Sequence, residues 1–304
     1  MHQLVTRRQL LKHSVAAVAG VVACGTLPEV ARAIEPIRRS AGPKFKFSLA
    51  AYSYRNLLSG DNPRLTLADF IDDCAAMQLE GTELTSYYFP PQPTTEYLLG
   101  LKERCFRLGL EVSGTAVGND FCHPPGDERD AEIAQVKRWV DHAAVLGAPV
   151  IRIFSGRRRG DQSIDDAHRL AVDGIQQCCE YAGTRGVYLA LENHGGLTDT
   201  AEGTLRLVRE VESPWFGVNL DTGNFHTSDI YGDLARLAPY AVNVQVKVVI
   251  QPEGSSKQPA DFNRLAHILR DTGYRGYIVL EYEESGDPRE ECPKYVEKLR
   301  EAFG

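Results

Sequence analysis

Strand-like and helix-like segments alternate along this chain of 304 residues, without a long gap, from residue 45 to the end. The strand-like runs cover positions 45–54, 80–88, 110–117, 149–156, 187–194, 216–222, 241–249 and 276–283. Amphipathic stretches with apolar residues three or four apart lie between them. Eight such units predict an α/β protein that forms a single (β/α)8 TIM barrel. An open doubly wound sheet is the alternative, but no GxGxxG motif follows the first strand.

The first 33 residues resemble an export signal and are predicted not to belong to the fold. Residues 6–12 (TRRQLLK) resemble a twin-arginine motif, residues 15–23 are apolar, and residues 31–33 (ARA) resemble a cleavage site. The apolar stretch is shorter than the roughly 20 residues that span a bilayer. We therefore predict a twin-arginine signal peptide over residues 1–33, and a periplasmic or otherwise extracytoplasmic protein.

Cys24 leaves a second form of this leader open. Residues 21–24 (VVAC) resemble a lipoprotein cleavage box, and lipid attached to Cys24 would then anchor the protein to a membrane. After the leader, residues 34–44 are predicted to form a polar linker, and residues 45–304 to form the barrel domain.

The chain is acidic, with a formal net charge of −7. The predicted leader contains four basic residues and one acidic residue, so its removal lowers the charge to −10. Such a charge is poorly suited to the phosphate backbone of DNA or RNA. We therefore expect a small-molecule partner and no nucleic acid.

Four of the strand-like runs end on a residue that can bind a hard metal ion: Glu192, Asp221, Gln245 and Glu281. The intervals between them are 29, 24 and 36 residues, about the length of a strand, a helix and their loops. In a closed barrel the four side chains would meet at the mouth formed by the C-terminal strand ends. Three carboxylates brought together repel one another unless a cation or a proton lies between them. The pattern therefore predicts a divalent-metal site at these four residues.

Strand parity supports a common inner face for the polar side chains. Residues two apart on a strand share a face. The polar residues that share faces in this way are Glu192 and His194; Asn243, Gln245 and Lys247; and Glu281 and Glu283. The other register is apolar and is expected to face the helices. Burying a polar side chain without a hydrogen-bond partner costs free energy, so this inner face is predicted to be a functional site.

At these residues the chain resembles an exported member of the xylose isomerase-like barrel superfamily, and in particular the ketose 3-epimerases of its sugar phosphate isomerase/epimerase group. The likeness covers about residues 45–300. In those epimerases a divalent metal is held by Glu, Asp, His and Glu on strands five to eight. Glu192 in LENHGG, Asp221 in NLDTGNFH and Glu281 in VLEYE match three of these positions. Gln245 departs from the family, which often has His-x-Lys where this chain has Gln-Val-Lys.

The resemblance implies a metal-dependent isomerase or epimerase that acts on a small carbohydrate. Glu192 and Glu281 would remove and return the proton next to the carbonyl, and the metal would stabilise the enediolate. A glutamine oxygen suits Mn²⁺ or Mg²⁺ better than Zn²⁺, so Mn²⁺ is expected, with Mg²⁺ or Co²⁺ as alternatives.

Further residues are predicted to contact the substrate: His194, Asn224, Lys247, His123 and Arg152. His194 shares a face with Glu192, and Asn224 stands where the epimerases often carry His. Lys247 is expected either to stabilise an oxyanion or to pair with Glu281 or Glu283. Each of these residues also has a purely structural interpretation.

Two other features are interpreted first as structural. Glu83 is expected to be a buried, hydrogen-bonded carboxylate. The run Arg157–Arg159 is expected to be a solvated loop, although such a run can also attract an anionic substrate.

Other functions stay open from the sequence. A lyase or hydrolase-type enzyme acting on 3-keto sugars is one alternative. A non-catalytic carbohydrate-binding barrel is another, because glutamine replaces the histidine at position 245. A type-IV apurinic endonuclease of the same superfamily needs a cluster of histidines, whereas two of the eight here lie in the leader. The sugar and the oligomeric state are not predicted.

Overall fold

The computed structural model of the chain describes residues 35–304. The predicted signal peptide, with Cys24, lies outside the described residues. The domain boundaries, the export signal and the lipid anchor therefore stay predictions.

Eight parallel strands close into a barrel, which confirms the predicted TIM barrel. The strands are β1 (Lys44–Ala50), β2 (Gly81–Thr85), β3 (Glu111–Ala116), β4 (Val150–Ile153), β5 (Tyr188–Glu192), β6 (Phe216–Asp221), β7 (Ala241–Lys247) and β8 (Arg275–Glu281). Neighbours in sequence are neighbours in the sheet, and β1 pairs with β8 to close it. Most strands end two or three residues before the predicted runs do, because the chain turns there into the loops of the mouth.

A helix follows each barrel strand and covers the outside of the barrel. These helices are α1 (Leu67–Ala76), α2 (Thr95–Arg107), α3 (Asp127–Leu146), α4 (Ile164–Arg185), α5 (Ala201–Glu210), α6 (Ile230–Leu237), α7 (Phe262–Asp271) and α8 (Pro288–Phe303). Shorter elements lie in the loops: 3-10 turns at Ala51–Tyr54, Ser86–Tyr88 and Ala238–Tyr240, a one-turn helix at Arg55–Leu58, and a small hairpin of Val249–Ile250 with Gln258–Pro259. The sequence patterns did not predict these loop elements.

Local sequence signals begin and end the helices. Thr66 and Asp69 form a reciprocal capping box at the start of α1: the Thr66 hydroxyl accepts from the Asp69 amide, and the Asp69 carboxylate accepts from the Thr66 amide. Helix α3 ends at Gly147, whose φ of 80° is left-handed and which therefore serves as its C-cap.

The core lies between the barrel and its helices. The apolar register of the strands is fully buried there, as expected; examples are Leu191 on β5, Val246 on β7 and Leu280 on β8. The alternate register points into the barrel and carries the polar side chains of the site. Within residues 35–304 no helix is both long enough and apolar enough to span a membrane.

Candidate active site

A buried lysine lies among the carboxylates at the C-terminal mouth of the barrel. Lys247 Nζ is 2.5 Å from Glu281 Oε2, 2.9 Å from Glu283 Oε1 and 3.3 Å from Asp221 Oδ2. Lys247 on β7 is level with Glu281 on β8 in the strand register, so the two side chains leave the sheet side by side. Burial alone would lower the pKa of Lys247, but the carboxylates of Asp221, Glu281 and Glu283 outweigh it and raise that pKa. The ammonium is therefore the positive charge between these carboxylates.

Asp221 is fully buried, with no exposed surface. Its Oδ1 accepts a hydrogen bond from the Gly223 amide (2.8 Å), whereas Oδ2 accepts none among the described residues. Burial raises the pKa of Asp221 well above its usual range, against the pull of Lys247, and nearby Glu192 and Glu281 raise it further. Asp221 Oδ2 is thus a buried oxygen that lies near the Lys247 ammonium but can still accept a hydrogen bond.

Glu192, at the end of β5, is held by three side chains. Its Oε2 lies 2.9 Å from Arg152 Nε, and its Oε1 lies 2.9 Å from His194 Nδ1 and accepts from Asn224 Nδ2 (2.7 Å). Burial by itself would raise the pKa of Glu192, but the Arg152 guanidinium and the His194 ring together hold it below its usual range. Glu192 is therefore ionised and fixed in position.

Gln245 has contacts different from those predicted for it. Its Nε2 donates to Glu83 Oε1 (2.6 Å), and its Oε1 accepts from Asn219 Nδ2 (2.6 Å). Asn243 completes the group by donating to Glu83 Oε2 (2.9 Å) and Asn219 Oδ1 (2.8 Å). We call these four residues, all of them buried, the amide layer. Burial, reinforced by Glu281, raises the pKa of Glu83 to about 7, while the two amide donors oppose the shift.

Four charged residues at the C-terminal ends of β5 to β8 form a second group, which we call the charged layer: Glu192, Asp221, Lys247 and Glu281. Asp221 follows Asn219 by two residues, and Lys247 follows Gln245 by two. Sequence reasoning placed Gln245 with the carboxylates and did not single out Asn219. The position of Asn219 on the same face as Asp221 was the signal that could have revealed it.

The side chains as they are arranged do not fit a divalent ion. In residues 35–304 no group of three or more His, Cys, Asp or Glu side chains is arranged to hold one. The Lys247 ammonium lies where an ion between Asp221 and Glu281 would be, and the Gln245 oxygen is occupied by Asn219. The metal-ligand roles of Glu192, Asp221, Gln245 and Glu281 remain predictions.

The residues predicted to contact substrate are spread unequally around the mouth. His194 and Asn224 line a cavity of about 510 Å³, and Lys247 and Asn224 line a smaller one of about 130 Å³ together with Glu281. Arg152 is buried; besides pairing with Glu192, it lies 4.0 Å from the centre of the Phe154 ring. The Arg152 guanidinium therefore holds the Glu192 carboxylate in position.

His123 lies apart from the carboxylates of the site. Its Nδ1 is 2.9 Å from Glu128 Oε2, and its Nε2 is 2.6 Å from a guanidinium nitrogen of Arg159. These contacts tie His123 to the first turn of α3 and to the loop after β4. Its predicted contact with substrate stays a prediction.

A sequence model described as xylose isomerase-like TIM barrel matches residues 71–302. The chain belongs to this family. The family resemblance expected from the strand-end motifs is therefore confirmed, although the match alone assigns no substrate.

Curated relatives share about a quarter of the aligned residues. A 3-dehydroshikimate dehydratase of Bacillus anthracis is 26% identical over 180 residues, which is 58% of this chain and 61% of that protein. A putative hydroxypyruvate isomerase of Homo sapiens is 26% identical over 197 residues, 54% of this chain and 69% of the relative. The chain thus spans about three fifths to two thirds of the length of these relatives.

Solved structures share the barrel at lower identity. D-psicose 3-epimerase of Clostridium cellulolyticum H10, solved with D-tagatose, has a TM-score of 0.70 at 16% identity and covers 85% of this chain and 99% of its own. A 3-keto-D-glucoside 4-epimerase of E. coli has a TM-score of 0.66 at 16% identity, with coverage of 85% and 99%. At these identities the likeness shows the common fold.

Proposed function

We propose that this protein is an isomerase or epimerase that moves a proton at the carbon next to the carbonyl group of a small carbohydrate. The observation that carries the proposal is the charged layer. Two glutamates, Glu192 and Glu281, lie at the mouth of the barrel on strands separated by β6 and β7, and the buried Lys247 ammonium contacts one of them.

The residues of the charged layer have the chemistry that such a reaction needs. A carboxylate, Glu192 or Glu281, takes the α-proton; the C–H electrons then form the enediolate double bond, and negative charge moves to the carbonyl oxygen. The Lys247 ammonium stabilises charge that develops there, because a fixed cation in a buried site is more effective than one in water. Return of the proton to the former carbonyl carbon, with the hydroxyl proton moving from one oxygen to the other, gives an isomer. Return to the original carbon from the opposite face gives an epimer.

The second candidate is a lyase, and the curated relative named a dehydratase favours it. Elimination of a β-hydroxyl begins with removal of the same α-proton, so Glu192 and Glu281 would have the same first task. The substrate class for this alternative is a 3-keto sugar, as predicted from the sequence. The alternative includes a hydrolase-type enzyme acting on the same class of sugar. The remaining alternative is a non-catalytic carbohydrate-binding barrel.

Dependence on a divalent metal stays a prediction, with Mn²⁺ first and Mg²⁺ or Co²⁺ as alternatives. If Glu192, Asp221, Gln245 and Glu281 rearranged to hold such an ion, it would supply Lewis-acid stabilisation of the enediolate. Elemental analysis of the purified protein, and activity measured after chelation and after return of each ion, test it directly. Full activity of the metal-free protein would overturn it.

Export through the twin-arginine route is also part of the proposal, and it supports a substrate found outside the cytoplasm. Mass spectrometry of the protein from a fractionated host tests it. A chain that begins after residue 33 supports the signal peptide; a lipid-modified Cys24 at the N-terminus supports the anchor. A full-length chain in the cytoplasm would overturn both.

The decisive experiment is a screen of ketoses and 3-keto glycosides in D₂O, followed by NMR. The proposal expects deuterium at one carbon next to the carbonyl, together with an isomeric sugar. Release of water or of an aglycone would instead favour the lyase. Binding of a sugar without any exchange would favour the non-catalytic barrel.

A further inference from the structure

The loop that follows β4 is fixed by two residues from the loop after β3. Asn119 Nδ2 donates to the Phe154 carbonyl (2.8 Å), and the Phe154 amide donates back to Asn119 Oδ1 (2.9 Å). Asp120 Oδ1 then accepts from the Arg157 amide (3.2 Å). The loop therefore leaves the barrel with its backbone held by side-chain hydrogen bonds.

Gly156 allows the close approach on which this arrangement depends. Its φ is +102°, and a Cβ on it would lie 2.1 Å from Asp120 Oδ1 and 2.8 Å from the backbone nitrogens of Phe121 and Cys122. A larger residue would have to push the loop away from Asp120. Gly156 thus lets the loop lie against Asp120 immediately before the arginines.

The three consecutive arginines differ in their partners. Arg159 forms an ion pair with Asp120 (2.7 Å). Arg157 and Arg158 are exposed and form no ion pair among residues 35–304, in a chain whose net charge is −7. Exposed arginines usually face bulk water. These two, however, line two adjoining cavities of about 570 and 510 Å³, and His194 lines both cavities with them.

His194 connects these cavities to the charged layer, because its Nδ1 lies 2.9 Å from Glu192 Oε1. Asn224, which also lines the second cavity, donates to the same oxygen. The second cavity is therefore lined both by Arg157 and Arg158 and by the two residues that contact Glu192 Oε1.

We propose that Arg157 and Arg158 bind an oxyanionic group of the substrate, a carboxylate or a phosphate ester, and so orient its carbonyl end towards Glu192. Guanidinium groups bind the oxygens of such groups with paired, charge-assisted hydrogen bonds. The identity of the reacting end rests on the proposed function, whereas recognition of the charged end is independent of it. The substrate class is then an acidic carbohydrate, not a neutral ketose.

Calorimetric titration with three compounds of matched carbon skeleton tests this: D-fructose, D-fructuronate and D-fructose 6-phosphate. We expect at least one of the two anions to bind about tenfold or more tightly than D-fructose, since hydrogen bonds to charged groups are the strong ones. The anion that is preferred distinguishes carboxylate from phosphate. The preference should weaken between about 0.05 and 0.5 M salt, because salt screens exposed charges.

The double variant Arg157→Gln/Arg158→Gln should lose the preference while its thermal unfolding stays the same, since both side chains are exposed. Arg138→Gln, which removes an exposed arginine from the middle of α3, is the matched control and should keep the preference. Equal affinity of the parent protein for the three compounds would overturn the proposal. So would an anion preference that persists in the double variant.

The two proposals fail in different ways. If anions bind through Arg157 and Arg158 but no substrate exchanges its α-proton, the proposed reaction is wrong and the anion subsite stands. If a neutral ketose exchanges its proton and the double variant reacts equally well, the reaction stands and the subsite is wrong.

Discussion

The charged layer and the amide layer share strands β6 and β7, where their members lie two residues apart, yet their polar atoms are satisfied in different ways. In the amide layer Glu83, Asn219, Asn243 and Gln245 bond to one another, and no buried side-chain nitrogen or oxygen of these four residues lacks a partner within the described chain. In the charged layer, Asp221 Oδ2 accepts no hydrogen bond from the described residues. A closed network stabilises one structure, whereas an incomplete one is suited to a ligand.

The largest expected effect is on catalysis in the charged layer. Glu281→Gln should reduce deuterium uptake at the substrate α-carbon by about 10²- to 10⁴-fold, because an amide cannot accept the proton. Glu301→Gln, on the exposed surface of α8, is the matched control and should react normally. Uptake by Glu281→Gln that equals the parent rate would mean that this glutamate is not an acid or base of the reaction.

Loss of the lysine should affect stability most. Lys247→Met leaves buried carboxylates without their cation, which should lower the free energy of unfolding by about 3–5 kcal/mol near pH 8. Lys247 now opposes the rise in the pKa of Asp221, so that pKa should rise further in the variant. The folded variant then binds more protons than the unfolded chain, and its stability should recover as the pH falls towards about 5.

Urea denaturation of the variant and the parent at both pH values measures this effect. Lys247→Arg, which keeps the charge, is the comparison variant and should lose less stability. A stability deficit that does not change with pH would show that the Lys247 ammonium does not compensate the carboxylates.

The amide layer should respond in stability and not in chemistry. Gln245→Leu leaves Glu83 Oε1 and Asn219 Nδ2 each without a partner, at a cost of about 1–3 kcal/mol in the free energy of unfolding. Proton exchange by the folded protein should change little. A variant of normal stability that has lost exchange would place Gln245 in the charged layer after all, as the sequence predicted.

The smallest expected effect is on metal affinity. Lys247→Met removes a cation from among Asp221, Glu281 and Glu283, so Mn²⁺ should bind the variant about tenfold or more tightly than the parent. Calorimetric titration with Mn²⁺ measures the difference. Equal affinity in the two proteins would show that Lys247 does not compete for the position between the carboxylates.

The fold could be predicted from the sequence because two simple periodicities specify it. Alternating runs identified all eight strands, and parity identified which side chains face into the barrel, including Lys247 and Glu281. Parity does not reveal depth along the barrel axis. The stagger between strands makes Asp221 level with Gln245 but Glu281 level with Lys247, and this register depends on contacts between distant segments.

The side-chain contacts of the loop residues could not be predicted from the sequence. The role of the arginine run depends on which of its members pairs with Asp120, and that pairing joins residues 39 apart in sequence. Composition alone could not distinguish Arg159 from Arg157 and Arg158. The leader remains a prediction from its motifs, since it lies outside the residues described.

The cation of the charged layer is the Lys247 side chain. Because Lys247 belongs to β7, this cation is in place once the barrel has formed. Folding of a metalloprotein often waits for an ion and is then limited by the supply of that ion. Here the carboxylates of Asp221 and Glu281 have their counter-charge as soon as the chain is complete. The pairing of these two carboxylates in the folded barrel therefore uses a charge that the chain itself carries.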